Sequence, residues 1–162
     1  MKNAMITKEE QKALALWAAD CAERVLPFFE EAYPRDKCPR DAIKSARLWV
    51  RGKIKCGEAR KAALAAHASA KKCHHFSAPQ FAARAAGQAV ATAHVPQHAF
   101  GAAYYTLKIA AADSANANVK VAKELNWQTQ HLPKNLRKEW LDWQNKKLPK
   151  SLKLIIKAAK KN

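Results

Sequence analysis

Apolar residues recur at helical spacing along almost the whole chain. Leu14, Trp17, Ala18, Cys21 and Val25 share one face. Before them, Thr7-Lys8-Glu9-Glu10 has the form of a capping box, in which hydroxyl and carboxylate each serve an orphan backbone N–H. Pro27 predicts a kink in this first helix and Tyr33-Pro34 its end. A second helix is expected after Pro39, with Ile43, Ala46 and Val50 inward, stopping near Gly52. A third begins near Gly57-Glu58 and runs through Ala70, its alanines making a thin face suited to close packing. Ser77-Ala78-Pro79-Gln80 is another start signal, with Ser as cap and Pro in the first turn. The fourth helix it opens should reach about His94. Pro96 stands near the start of a fifth, ending around Asp113, and Asn116 and Asn118 mark a turn before a sixth that carries Val121, Leu125 and Trp127.

The pattern then repeats itself. WQTQHLPKNL (127–136) and WQNKKLPKSL (143–152) agree at six of ten positions. Each copy should end one helix and start another, with Pro133 and Pro149 in the first turns and a Trp and two Leu tucked beneath the corner. After Pro149, Leu152, Ile155, Ile156 and Ala159 fall on one face with lysines around them. Residues 149–162 therefore read as a basic amphipathic helix docked on the core. Valine and isoleucine are sparse and alanine abundant, which leaves little material for strands. The expectation is an all-α fold, a single domain over 1–162, built as a bundle or array of about six to eight helices with Ala/Gly-rich tight packing.

One stretch resembles a site. AGQAVATAHVPQHAFGAAYY (86–105) holds two glycines, two histidines and a proline among alanines. A mid-helix glycine costs about 1 kcal/mol against alanine, so Gly87 needs a reason. A closely approaching neighbouring backbone would supply it, and Gly101 invites the same account. His94 and His98 are four apart, but Pro96 between them argues against one continuous helix and so against a shared metal. They read as corner histidines, hydrogen-bonded or lining a shallow polar pocket. His67, alone among alanines, reads as a hydrogen-bonded core histidine. If the chain were an enzyme, His67, His94 and His98 would be its candidate polar pocket.

Other chemistry is thin. Cys73-His74-His75 places three ligand types side by side, but adjacent helical residues point apart and no second cluster follows at finger-like spacing. Asp20 and Glu23 share a helix face with Arg24 and read as ordinary surface charge. Nucleophile-elbow, zinc-protease and phosphate-loop patterns are absent. No catalytic, metal-binding or cofactor-binding residue is assigned, and a non-catalytic protein is expected. Ala85 to Leu107 carries no formal charge, yet Gln88, Thr92, His94, Pro96, Gln97 and His98 interrupt it, so it is not read as a membrane span. Four cysteines without a CxxC pair, and an opening MKNAMITKEE without the apolar run of an export signal, suggest reduced, mostly buried thiols in the cytoplasm.

Charge narrows the partners. The net charge is +17, and it is concentrated: residues 59–162 carry eighteen Lys/Arg against four Asp/Glu, and from Trp143 onward there are seven lysines and no acid. Such a surface attracts polyanions, anionic lipid or an acidic protein, with salt-sensitive strength. The first candidate binding surface is the basic C-terminal region, with Lys146, Lys147, Lys150, Lys153 and Lys157.

ALALWAADCAERVLPFFEEAYP (13–34), PRDAIKSARLWVRGKIKCGEARKAALAAHASA (39–70) and ARAAGQAVATAHVPQHAFGAAYYTLK (83–108) resemble the Imm-5-like immunity proteins. These are small all-α bacterial proteins, some loosely labelled exonuclease-related. EWLDWQNKKLP (139–149) is similar to the family's C-terminal pattern, whereas KKCHHFSAPQF (71–81) and the lysine-rich tail depart from it. The resemblance implies a cytoplasmic protein that binds and neutralises a cognate toxin, and brings no active-site residues with it. An acidic protein, the toxin, is the implied partner. The alternative, from charge alone, is a basic helical nucleic-acid-binding protein, with lysines on phosphates and tryptophans for stacking.

Overall fold

The computed structural model describes residues 5–160, and every regular element among them is a helix. In order these are α1 (Lys8–Ala32), α2 (Cys38–Val50), α3 (Cys56–Lys72), α4 (Ala78–Ala91), α5 (His98–Ala111), α6 (Ala117–His131), a 3-10 turn (Lys134–Leu136), α7 (Arg137–Lys147) and α8 (Lys150–Ala159). The eight helices form an all-α array.

The start signals act as the chemistry of orphan backbone groups requires. Glu10 donates its N–H to the Thr7 hydroxyl at 3.2 Å, and Thr7 donates its own to the Glu10 carboxylate at 2.9 Å. The other Glu10 oxygen accepts from Asn135 Nδ2 at 2.8 Å, tying the start of α1 to the turn after α6. Ser77 caps α4 by accepting the Gln80 N–H. Gly52, with φ +69°, ends the turn after α2 in the left-handed region that a Cβ disfavours. Pro27 does not end α1. It sits on the solvent side, where the carbonyl it leaves unpaired can turn to water. α4 stops at Ala91, three residues short of the expectation, and a corner of tight turns over 92–97 precedes α5. Pro96 therefore stands in the corner rather than in the helix.

α4 is the centre of the array. Ala82, Ala83, Ala85, Ala86, Ala89 and Val90 are all 0% exposed, and α1, α2, α3 and α5 pack around it. Small apolar side chains over most of its surface let those neighbours come close, while Arg84 and Gln88 stand half-buried on the remaining side. A bulkier part of the same core gathers around the N-terminal half of α1. There Trp17 meets Phe100 edge-on at 6.2 Å between centroids and Trp140 at 5.8 Å, and Phe100 stacks on Trp140 at 5.5 Å. Trp17 Nε1–H donates to the Gln128 carbonyl at 2.9 Å.

Beside that core, Glu124 is a nearly buried carboxylate with three donors. Thr106 Oγ1 and Gln128 Nε2 each reach it at 2.9 Å and Arg24 Nη1 at 2.5 Å. The Arg24 guanidinium also lies over the Trp127 ring, 3.9 Å from its centre. This network clamps α6 to α1 and α5.

The sequence echo is an echo of structure. Leu132 and Leu148 are extended caps, each donating its N–H to a glutamine carbonyl (Gln128 and Gln144) at 3.0 and 3.2 Å. The prolines that follow are extended too, with ψ 136° and 150°. Leu132, Leu136, Leu148 and Leu152 are buried as expected, while Trp127 and Trp143 are only half-buried. The glutamines, not assigned a role from sequence, are buried in both copies. α8 then lays Leu152 and Ile156 against α6 and the edge of α5.

The two glycines have a different cause from the one expected. A Cβ at Gly87 would stand 2.6 Å from His67 Cε1, and one at Gly101 would stand 3.0 Å from the Gln88 side-chain oxygen. Side chains, not neighbouring backbone, take the space.

Two outcomes follow from these contacts. Gly87→Ala should bring no gain in an otherwise native chain, because the helix-propensity benefit is spent against the imidazole. In a His67→Ala background the same change should stabilise by about 1 kcal/mol; urea denaturation of the four proteins measures the coupling. Glu124→Ala should cost about 1–2 kcal/mol, since it removes the acceptor that Thr106, Gln128 and Arg24 share, while Thr106 and Gln128 keep their bonds to the Ala103 carbonyl and to each other; thermal and urea unfolding both read this.

Candidate functional site

Three places carry the chemistry of the chain. The first is the seam where α3, α4 and the start of α5 meet. His94 and His98 face each other there, with ring centroids 5.1 Å apart, and His98 Nδ1 pairs with the Gln88 side-chain oxygen at 2.7 Å. His67 lies against Gly87 on the same seam. It is half-buried, and its Nδ1 has no hydrogen-bond partner, unlike the hydrogen-bonded core histidine expected from sequence. Gly87 lies directly against the ring and offers it no side-chain acceptor.

Electrostatics there disfavour protonation. Burial pushes His67 down to about 4, with the nearby Arg84 guanidinium adding to the effect. Burial also lowers His98, assisted by His94, and lowers His94, assisted by Arg60. The sequence-predicted trio of His67, His94 and His98 is thus brought to one seam as neutral rings. Among the described residues no group of three or more His, Cys, Asp or Glu side chains is placed to hold a metal ion. Of the four cysteines, all free, Cys21 and Cys73 are buried while Cys38 is half-buried and Cys56 exposed.

The second place is a cleft of about 360 Å³ between the end of α3, the start of α4 and the middle of α5. Lys71, Arg84 and Lys108 bring three cations to it, and Phe76, Phe81 and Tyr105 an aromatic wall. Phe81 and Tyr105 stack at 6.0 Å between centroids. Lys108 Nζ sits 4.4 Å from the Phe81 ring centre, and its burial lowers its pKa from the ordinary lysine range. Phe76 is the unusual residue. It is 78% exposed and holds φ 58°, a conformation a bulky side chain rarely adopts. The buried Gln80 amide holds it in place: the side-chain oxygen accepts the Phe76 N–H at 2.9 Å, and Nε2 donates to the Ala70 carbonyl at 3.3 Å.

The third place is the C-terminal lysine surface. Lys150, Lys153 and Lys157 follow one another at helical spacing along α8. Lys153 and Lys157 line a smaller cleft of about 220 Å³ with Lys160, Leu141 and Gln144. Lys153 Nζ donates to the Asn145 carbonyl at 2.6 Å. Lys146, Lys147 and Lys150 are exposed around the joint and do not line that cleft.

The α3–α4–α5 cleft was missed in sequence because its residues are scattered over 71–108. One signal could have found it. Residues 59–112 contain no Asp or Glu at all, yet carry six Lys/Arg and five of the six histidines.

The chain belongs to a family: the model described as "Imm-5 like putative immunity protein" matches residues 4–135. The match takes in α1 through α6, and with them both the histidine seam and the aromatic cleft. It stops before α7, so Glu139–Pro149 and the C-terminal lysines lie outside it. No curated protein and no solved structure matches the chain. No described helix is long and apolar enough to cross a membrane.

The neutral histidines make stability pH-dependent. An unfolded His67 binds its proton near pH 6.5, while the folded one resists until about pH 4. Between those values the unfolded state holds more protons, so stability falls as pH drops through that window and levels off below it. Allowing for solvent around a half-buried ring, His67 should contribute about 1–2 kcal/mol of that loss. His67→Gln should flatten the slope of unfolding free energy against pH between about 6.5 and 4, leaving the smaller share of His94 and His98.

Proposed function

We propose that the protein is an immunity protein, which binds a toxin and neutralises it by protein–protein contact without chemistry of its own. Membership of the Imm-5 like family over residues 4–135 carries this reading. The charge of +17 supports an acidic partner surface, since complementary potentials steer association and suppress wrong partners. The cytoplasm is where such a toxin would be met.

The docking surface in this proposal is the basic C-terminal region. Lys146, Lys147, Lys150, Lys153 and Lys157 stand on a joint and a short helix that are anchored from beneath by Leu148, Leu152 and Ile156, so the charges are held on a firm base. They lie beyond the family match, where a surface peculiar to this chain can serve a partner peculiar to it. The competing reading is a nucleic-acid-binding protein, for which the same lysines would neutralise phosphates.

Co-expression with a toxin encoded beside the gene tests the proposal. Cells should survive, and the complex should weaken tenfold or more when Lys150, Lys153 and Lys157 are all changed to Glu, with helicity and Tm preserved. Absence of both protection and a captured protein partner would sink it. Saturable binding of random-sequence DNA or RNA at physiological salt, with a steep salt dependence, would favour the competing reading instead.

A further inference from the structure

The aromatic cleft is not explained by a role in docking an acidic protein. Protein partners of ordinary size dock over broad surfaces, whereas this site is a concavity of about 360 Å³, in the range of small-ligand pockets. Its three cations have no counter-charge: neither Lys71, Arg84 nor Lys108 enters an ion pair among the described residues. The neighbouring Lys72, by contrast, reaches Asp36 at 3.8 Å. Like charges gathered beside apolar rings, with one ammonium partly desolvated, repel one another until an anion joins them. A single carboxylate would answer only one of the three.

The wall of the cleft asks for something else as well. Phe76 is kept exposed and in a strained backbone conformation by its N–H bond to the buried Gln80 side-chain oxygen, an amide itself tied to the Ala70 carbonyl. Strain that the surrounding structure maintains in this way is a mark of binding sites. An exposed ring beside Phe81 and Tyr105 offers a surface to a flat, unsaturated group. Arg84 supplies the planar, multi-donor head suited to phosphate oxygens, and the two lysines supply point charges.

We propose that this cleft binds a nucleoside 5′-diphosphate or triphosphate, with the phosphates across Lys71, Arg84 and Lys108 and the base against the aromatic wall. The charge of a diphosphate matches three cations, and a base is the flat group that accompanies it. This site is separate from the C-terminal lysines and does not depend on the immunity role.

NMR titration of the full chain tests it, using ADP, with adenosine and pyrophosphate as partial ligands and a Glu-rich peptide as the protein-like competitor. ADP should bind saturably and shift the signals of Phe76, Phe81 and Tyr105, at least tenfold more tightly than either half-ligand. Arg84→Ala and Lys108→Ala should each weaken ADP about tenfold, and Phe76→Ala, a change in an exposed turn that leaves the core intact, about threefold. Lys150→Ala/Lys157→Ala should leave it unchanged. The proposal is overturned if ADP does not saturate, if pyrophosphate binds as tightly as ADP, if the shifts gather on α8 and follow Lys150 and Lys157, or if the peptide alone perturbs the cleft.

Discussion

The structure depends on how closely other helices can approach α4. Its alanines leave no side chain long enough to hold a neighbour away, and α1, α2, α3 and α5 all use that closeness. Small side chains lose little entropy on burial and contribute little apolar area each, so the stabilisation comes from many close contacts rather than a few large groups. The same closeness explains both glycines. His67 and Gln88 have space for their side chains only because Gly87 and Gly101 leave out a methyl group.

Around this alanine centre, polar and aromatic groups decide how the outer helices sit. Trp17 reaches from α1 to the backbone of α6, and Glu124 draws donors from α1, α5 and α6 itself. A buried carboxylate is a costly element unless every lone pair is used, and here three donors converge on it. That requirement fixes the orientation of α6 more strictly than apolar packing would. The duplicated Gln-x3-Leu-Pro joints then turn the chain twice in the same way, so that α8 returns onto α6 with its apolar face inward.

Positive charge is arranged on the outer side of this frame. The positive charge of the chain beyond residue 59 gathers in two separate places. One is exposed lysines on α7 and α8, outside the family match; the other is a concave, aromatic-backed site inside it. The histidine seam between α3 and α5 belongs to packing first. Its rings are neutral because burial and neighbouring cations disfavour a second charge, and their positions follow from Gly87 and the corner at 92–97.

The local order of the chain was determined by sequence alone. Capping residues, prolines and the spacing of alanine and leucine act within a few residues of themselves, so the helices, their starts at Thr7 and Ser77, and the twin joints at Pro133 and Pro149 could be read directly. The basic C-terminal face was legible for the same reason. Tertiary structure decided what depends on residues far apart in the chain. The unpartnered state of His67 and the reason for Gly87 arise between α3 and α4. Glu124 and the buried glutamines gain their roles from helices a hundred or fewer positions away, and the aromatic cleft assembles residues from 71 to 108. Each of these rests on which surfaces share the space around α4, and that is set by close packing in three dimensions rather than by any local pattern.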